Sequence, residues 1–131
     1  MIVLDTHSWL WWLSDPKKLS RAARAAIQRS AAGNEALVSA ISVWEVAMLV
    51  ARGRLDLSMG VAEWIAQAES VDGFHFIPVD NQIALRAVQL PGVFHADPAD
   101  RIIVATALAR GAALATKDER IRGYPHVRSV W

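Results

Sequence analysis

The sequence predicts an α/β fold of three layers, with helices on both faces of a central parallel sheet of four to five strands. Three observations carry this. Short apolar stretches that read as buried strands alternate with longer stretches of helical spacing, and strands separated in this way pair in parallel through right-handed crossovers. No repeat or low-complexity stretch interrupts the pattern. With 131 residues, 53% of them hydrophobic, the chain has material for one core, so residues 1–131 are expected to form one domain.

Met1 to Leu4 is a short β-branched run, the first strand. Asp5-Thr6 opens THSWLWWL, a helix that Asp15-Pro16 breaks. Ser20 starts an amphipathic helix with Leu19, Ala23, Ala26 and Ile27 facing away from Arg21, Arg24 and Gln28. Gly33-Asn34 turns the chain into ALVSA (36–40), a second strand leading to the helix ISVWEVAMLVARG, which Gly53 stops. Val61, Trp64, Ile65 and Ala68 keep helical spacing, FHFIPV (74–79) is a third strand, and Asp80 caps a helix with Ile83, Ala84, Ala87 and Val88 inward. Asp97-Pro98 starts the next helix, Asp as N-cap and Pro where its missing N–H matters least. Its run IIVATALA is apolar all round and should lie buried against the sheet. Arg110-Gly111 ends it, AALAT is a fourth strand, a turn of helix follows Asp118, and residues 127–131 are a fifth strand.

Acids stand where these elements meet. Asp5 closes the first strand, Glu45 follows the second, Asp97 and Asp100 open the apolar helix, and Asp118 lies past the fourth strand. Each is open to a local explanation: Asp5, Asp97 and Asp118 as N-caps, Asp100 as a first-turn acid held ionised by the helix dipole, Glu45 as the far end of a Ser42-x-x-Glu45 capping box. Together they point further, because open α/β sheets bind ligands beyond the carboxyl ends of their strands. Carboxylates gathered there repel one another unless a cation neutralises them. An oxygen-only set in a chain without cysteine selects Mg²⁺ or Mn²⁺ over zinc. The expected ligands are Asp5, Glu45, Asp100 and Asp118, with Asp97 an auxiliary or alternative ligand. Beside them Thr6, Arg101, Thr116 and Lys117 are candidates to hold substrate, with Ser8, Arg120 and Arg122 near by. His7 and His95, each two residues from an acid, are open to a role in orienting substrate.

Fourteen basic residues oppose thirteen acidic ones; with four carboxylates neutralised the remainder is basic, which suits a polyanionic substrate. The absence of cysteine fits a reducing compartment, the cytoplasm. Neither a leader nor a membrane span is expected.

LDTHSWLWWL, SAISVWEVA, DPADRIIVATALA and LATKD together resemble the PIN domain of VapC-type toxin ribonucleases, the toxins of type II toxin-antitoxin pairs. The likeness runs through nearly the whole chain. It implies a PIN-like fold and a metal-dependent endoribonuclease whose four acids are Asp5, Glu45, Asp100 and Asp118, and it leaves open which aspartate of DPAD touches the metal. It also implies a homodimer and a cognate antitoxin partner. Trp9, Trp11 and Trp12 diverge around one helix, so at least one should be exposed or at an interface; Trp44 and Trp64 are expected in the core. Two other readings fit the acids less fully: a receiver-like Mg²⁺-binding phosphoryl-transfer protein, and a non-catalytic interaction module whose acids are only caps.

Overall fold

The structure is a computed structural model that describes residues 1–131. Its strands are β1 (Ile2–Leu4), β2 (Ala36–Ser39), β3 (Phe74–Ile77), β4 (Ala113–Ala115) and β5 (Ser129–Val130). Its helices are α1 (Thr6–Ser14), α2 (Arg21–Ala32), α3 (Ala40–Ala51), α4 (Val61–Glu69), α5 (Asn81–Val88), α6 (Pro98–Arg110) and α7 (Glu119–Arg122). All five strands are parallel, in the order β3-β2-β1-β4-β5. A receiver-like sheet runs 2-1-3-4-5, so the topology removes that reading. The order reverses at β1, whose neighbours are β2 and β4, and this switch point is where a ligand cleft is expected.

Period-two alternation divides the core. Val3, Leu37 and Leu114 point to one face, where Ile83, Ala87, Ile103, Val104 and Ile121 of α5, α6 and α7 pack. Ile2, Leu4, Ala36, Val38, Ala113 and Ala115 point to the other, under Trp9, Leu10, Ile27, Val46, Trp64 and Ala68 of α1 to α4. Trp9 meets Trp64 edge-on with ring centroids 5.0 Å apart, a favourable geometry for aromatic pairs. Helix α6 is buried along most of its length, as its composition demands.

Local signals set the element ends. Ser20, Asp80 and Asp97 accept from the N–H of Ala23, Ile83 and Asp100 respectively. Gly111 ends α6 in the left-handed region at φ 61°, which glycine adopts without penalty. Gly73, at φ 86°, lies so close to α2 that an added Cβ would stand 2.2 Å from the Ala31 carbonyl oxygen. Every strand is shorter than expected, β1 starting at Ile2 and β4 spanning Ala113–Ala115. β2 stops at Ser39, β3 at Ile77, and β5 has two residues because Val127 turns into the core instead of pairing.

Candidate active site

Beyond the carboxyl ends of β1 and β4 lies an open cleft of about 620 Å³ lined by Asp5, Thr6, His7, Trp11, Glu45, Asp97, Asp100, Lys117, Asp118, Glu119 and Arg120. All five candidate acids reach it. Three of them do cap helices, but this takes one oxygen each. Asp5 Oδ1 accepts from Ser8 N–H at 2.8 Å, Asp97 Oδ1 from Asp100 N–H at 3.0 Å, and Asp118 Oδ1 from Arg120 N–H at 2.8 Å. The second oxygen of each is free of the backbone. Capping and ligation are therefore compatible here.

Glu45 is different. Ser39, not Ser42, caps α3 through Ile41 N–H, which places Glu45 too deep in the helix for a capping box. Its carboxylate instead accepts from the Thr6 hydroxyl, whose oxygen also lies 2.9 Å from Ser42 Oγ. Thr6 is buried at the edge of the cleft and ties α1 to α3, so in this structure its hydroxyl positions an acid. Thr116 does the same across β1 and β4: its hydroxyl bonds Asp5 and accepts from Asp118 N–H at 3.0 Å. Arg101 turns away from the cleft lining. Being next to Asp100 on a helix turns it about 100° away, and its guanidinium donates to the carbonyls of Ala87, Val88, Phe94 and His95. It fastens α6 to the end of α5 and the loop that follows. Of the substrate candidates, Lys117 keeps an exposed side chain on the cleft.

Crowding shows in the ionisation of the acids. Burial, then the charges of Asp97, Asp118 and Glu45, pushes Asp100 from 3.8 up to about 7; these outweigh the helix dipole expected to keep it ionised. Burial raises Asp5 and Glu45 as well. Asp118 is lowered, because Arg120 donates to it. That guanidinium sits between two acids: Nη2 is 2.9 Å from Asp118 Oδ2 and 3.4 Å from Asp100 Oδ2, with Nε 3.3 Å from Asp118 Oδ1.

His95 lines the same corner. Its Nδ1 accepts from Asp97 N–H at 3.3 Å, so the neutral ring carries its proton on Nε2. Nε2 is 3.2 Å from Asp100 Oδ2 yet out of line for a hydrogen bond, and it has no aligned partner. Burial, with Arg120 near by, lowers the His95 pKa. His75 and His126 are exposed and distant from the acids.

As they stand, no three of these side chains converge closely enough to enclose an ion. Glu45 is turned to Thr6, and Asp118 to Arg120. The donor set nevertheless fits a hard divalent cation: it is all oxygen, neighbouring acids raise the pKa of Asp100 and Glu45, and the Arg120 guanidinium already lies against Asp118 and Asp100 as a cation would.

Trp64 is buried as expected; Trp9 is buried too, while Trp11 and Trp12 are half-buried. Trp44 is not in the core. It is 57% exposed, since Val46 and Ser42 take the inward positions of α3 and residue 44 falls on the outer side.

A parallel sheet in this order with carboxylates around its switch point defines the PIN domain class, and the profile described as PIN domain matches residues 2–127. The chain belongs to this family. It is 42% identical over 130 residues to ribonuclease VapC22 of Mycobacterium tuberculosis (strain ATCC 25618 / H37Rv), covering 98% of this chain and 95% of that one. Among solved structures it is similar to VapBC2 from Rickettsia felis bound to a promoter DNA fragment (TM-score 0.69, 15% identity, 98% and 97% of the two chains). It is also similar to DNA-bound VapBC from Salmonella typhimurium (TM-score 0.66, 19% identity, 98% and 95%). These likenesses establish the fold.

Proposed function

We propose that this protein is a divalent-cation-dependent endoribonuclease, the toxin of a toxin-antitoxin pair, with Asp5, Glu45, Asp100 and Asp118 as its acid cluster. The observation that carries this is the convergence of Asp5, Glu45, Asp97, Asp100 and Asp118 on one cleft in a chain 42% identical to a VapC ribonuclease. Asp5, Asp100 and Asp118 would hold the cation, Glu45 would complete the set on release from Thr6, and Asp97 chiefly holds the start of α6.

When bound, Mg²⁺ or Mn²⁺ supplies Lewis-acid charge beside the phosphodiester and eases deprotonation of an attacking water. The residues of the chain do the rest. Thr116 fixes Asp5 and Asp118 relative to each other, and Thr6 holds Glu45 at the cleft until it is released to the cation. Lys117 offers a cation to the RNA backbone at the rim. Glu45, with its raised pKa, is suited to accept a proton from water on the open side of the cleft. RNA cleavage in Mg²⁺ or Mn²⁺ that stops with excess chelator and returns on adding the metal is the expected result. Cleavage undiminished in chelator would refute the reading.

We infer further that a cognate antitoxin covers the half-buried Trp11 and Trp12 and the neighbouring groove of Leu13, Leu57, Met59 and Trp64. Two copies of the chain pair through exposed apolar residues such as Trp44. No helix is long and apolar enough to cross a membrane, and the inferred place of action is the cytoplasm. Growth arrest on expression, relieved by co-expression of the partner, tests this; normal growth at high soluble expression would refute it.

A further inference from the structure

Arg120 makes more contacts with the acid cluster than any other cation in the cleft. Its guanidinium is forked onto both oxygens of Asp118, through Nε at 3.3 Å and Nη2 at 2.9 Å, and the same Nη2 reaches Asp100 Oδ2 at 3.4 Å. These are two of the acids assigned above to the metal. Arginine stays protonated at every pH of interest, so it delivers a fixed positive charge into a group of carboxylates that would otherwise repel one another. It competes for those oxygens with a divalent ion. The bonds a guanidinium makes to carboxylate lone pairs lie where a hard cation would coordinate, and the two positive charges repel at such range.

The side chain is also free to leave. It is 59% exposed and stands on the short helix α7 at the rim of the cleft, held by no other side chain or carbonyl. Arg101 is the contrast: four of its five N–H donors go to backbone carbonyls and it cannot move without unfastening α6.

We propose that Arg120 is an exchangeable internal counter-ion, which neutralises Asp118 and Asp100 in the metal-free protein and must give them up when the divalent cation enters, so that it sets how tightly the site binds metal. This rests on the assignment of the cleft as a metal site. Once displaced, the guanidinium remains tethered at the mouth, beside Lys117, where an RNA phosphate approaches. Arg120 is thus a positioning residue in the metal-free state and a phosphate contact in the loaded one.

The test is Mn²⁺ binding to purified metal-free protein, followed by electron paramagnetic resonance of the free ion, for wild type, Arg120→Gln and Arg120→Lys. Losing an exposed ion pair with which the metal competes should tighten Mn²⁺ binding in Arg120→Gln by about two- to five-fold. Arg120→Lys, charged but unable to fork, should fall between. Circular dichroism confirms that both variants fold. With Mn²⁺ saturating, Arg120→Gln should show a raised KM for RNA at little-changed kcat, the mark of a lost phosphate contact. Equal Mn²⁺ affinity in wild type and Arg120→Gln would overturn the counter-ion role, leaving the metal site intact. An unchanged KM would overturn the phosphate contact. If none of the three proteins binds Mn²⁺, it is the metal-site assignment that fails.

Discussion

Replacing Asp100 by Asn should stabilise the metal-free protein at about pH 8 and leave it unchanged at about pH 4. In the folded chain the carboxyl is pushed from 3.8 to about 7 by burial first and by Asp97, Asp118 and Glu45 next. The folded state therefore binds the proton more tightly than the unfolded one, and stability falls as pH rises between those two values. The penalty is fully present above about pH 7 and is gone below about pH 4. Three units at about 1.36 kcal/mol each set a ceiling of about 4 kcal/mol. The side chain is 19% exposed in an open cleft, and discounting for solvent and salt leaves roughly 1–2 kcal/mol. For a chain of this length that is about 4–7 °C in melting temperature. Thermal melts in chelator at the two pH values measure it directly. Adding Mg²⁺ should reverse the order, because wild type gains a ligand-linked increment and Asp100→Asn does not. If Asp100→Asn melts at or below wild type at about pH 8 without metal, the acids do not burden one another and the argument for a cation loses its electrostatic basis.

Other substitutions separate the roles of neighbouring residues. Asp97→Ala removes the cap on Asp100 N–H and should lower stability by about 0.5–2 kcal/mol in denaturant melts, with cleavage reduced but measurable; Asp100→Ala should fold well and be inactive. Asp5→Asn and Glu45→Gln should abolish RNA cleavage while circular dichroism and gel filtration stay as in wild type, since neutralising a crowded acid relieves repulsion. Should both melt far below wild type without metal, the acids are only caps. Arg101→Met strips the donor from four carbonyls and should cost about 2–4 kcal/mol by urea denaturation, with cleavage per folded molecule nearly unchanged; an inactive but stable Arg101→Met would return this residue to the RNA.

What could be read in advance depended on whether the physics was local. Asp5, Asp97 and Asp118 cap helices because chain direction changes there, and strand-helix alternation then places them at one edge of the sheet. Both facts are written along the chain. Glu45 was legible as a cleft residue but not in its local role: VSAIS offers two serines, and only the length of β2 decides that Ser39 is the cap. Arg101 and Arg120 looked alike, as cations next to acids. Their difference is tertiary, one guanidinium swallowed by carbonyls and the other lying across carboxylates. Trp44 shows the same gap, since an aromatic on an apolar helix reads as core until the neighbouring layers show which side is covered. For Asp100 the sequence shows both the helix dipole and the neighbouring acids; which of them prevails is decided only by the burial and closeness that the fold imposes.

The pairing of β1 with β4 has a consequence in time. Ser8 and Asp5 reach the Ala115 carbonyl oxygen at 3.1 Å each, the former across 107 residues of sequence, and Thr116 then bridges the two acids on either side. Chain closure over such a separation is slow compared with helix formation, and a growing chain adds only about 5–20 residues per second. On the ribosome, Asp5 and Glu45 are made long before the strand that brings Asp118 to them. Until then the acid cluster is incomplete. The cleft is complete only when β4 slots in beside β1, more than a hundred residues after Asp5, so the topology of the sheet sets the order in which its acids come together.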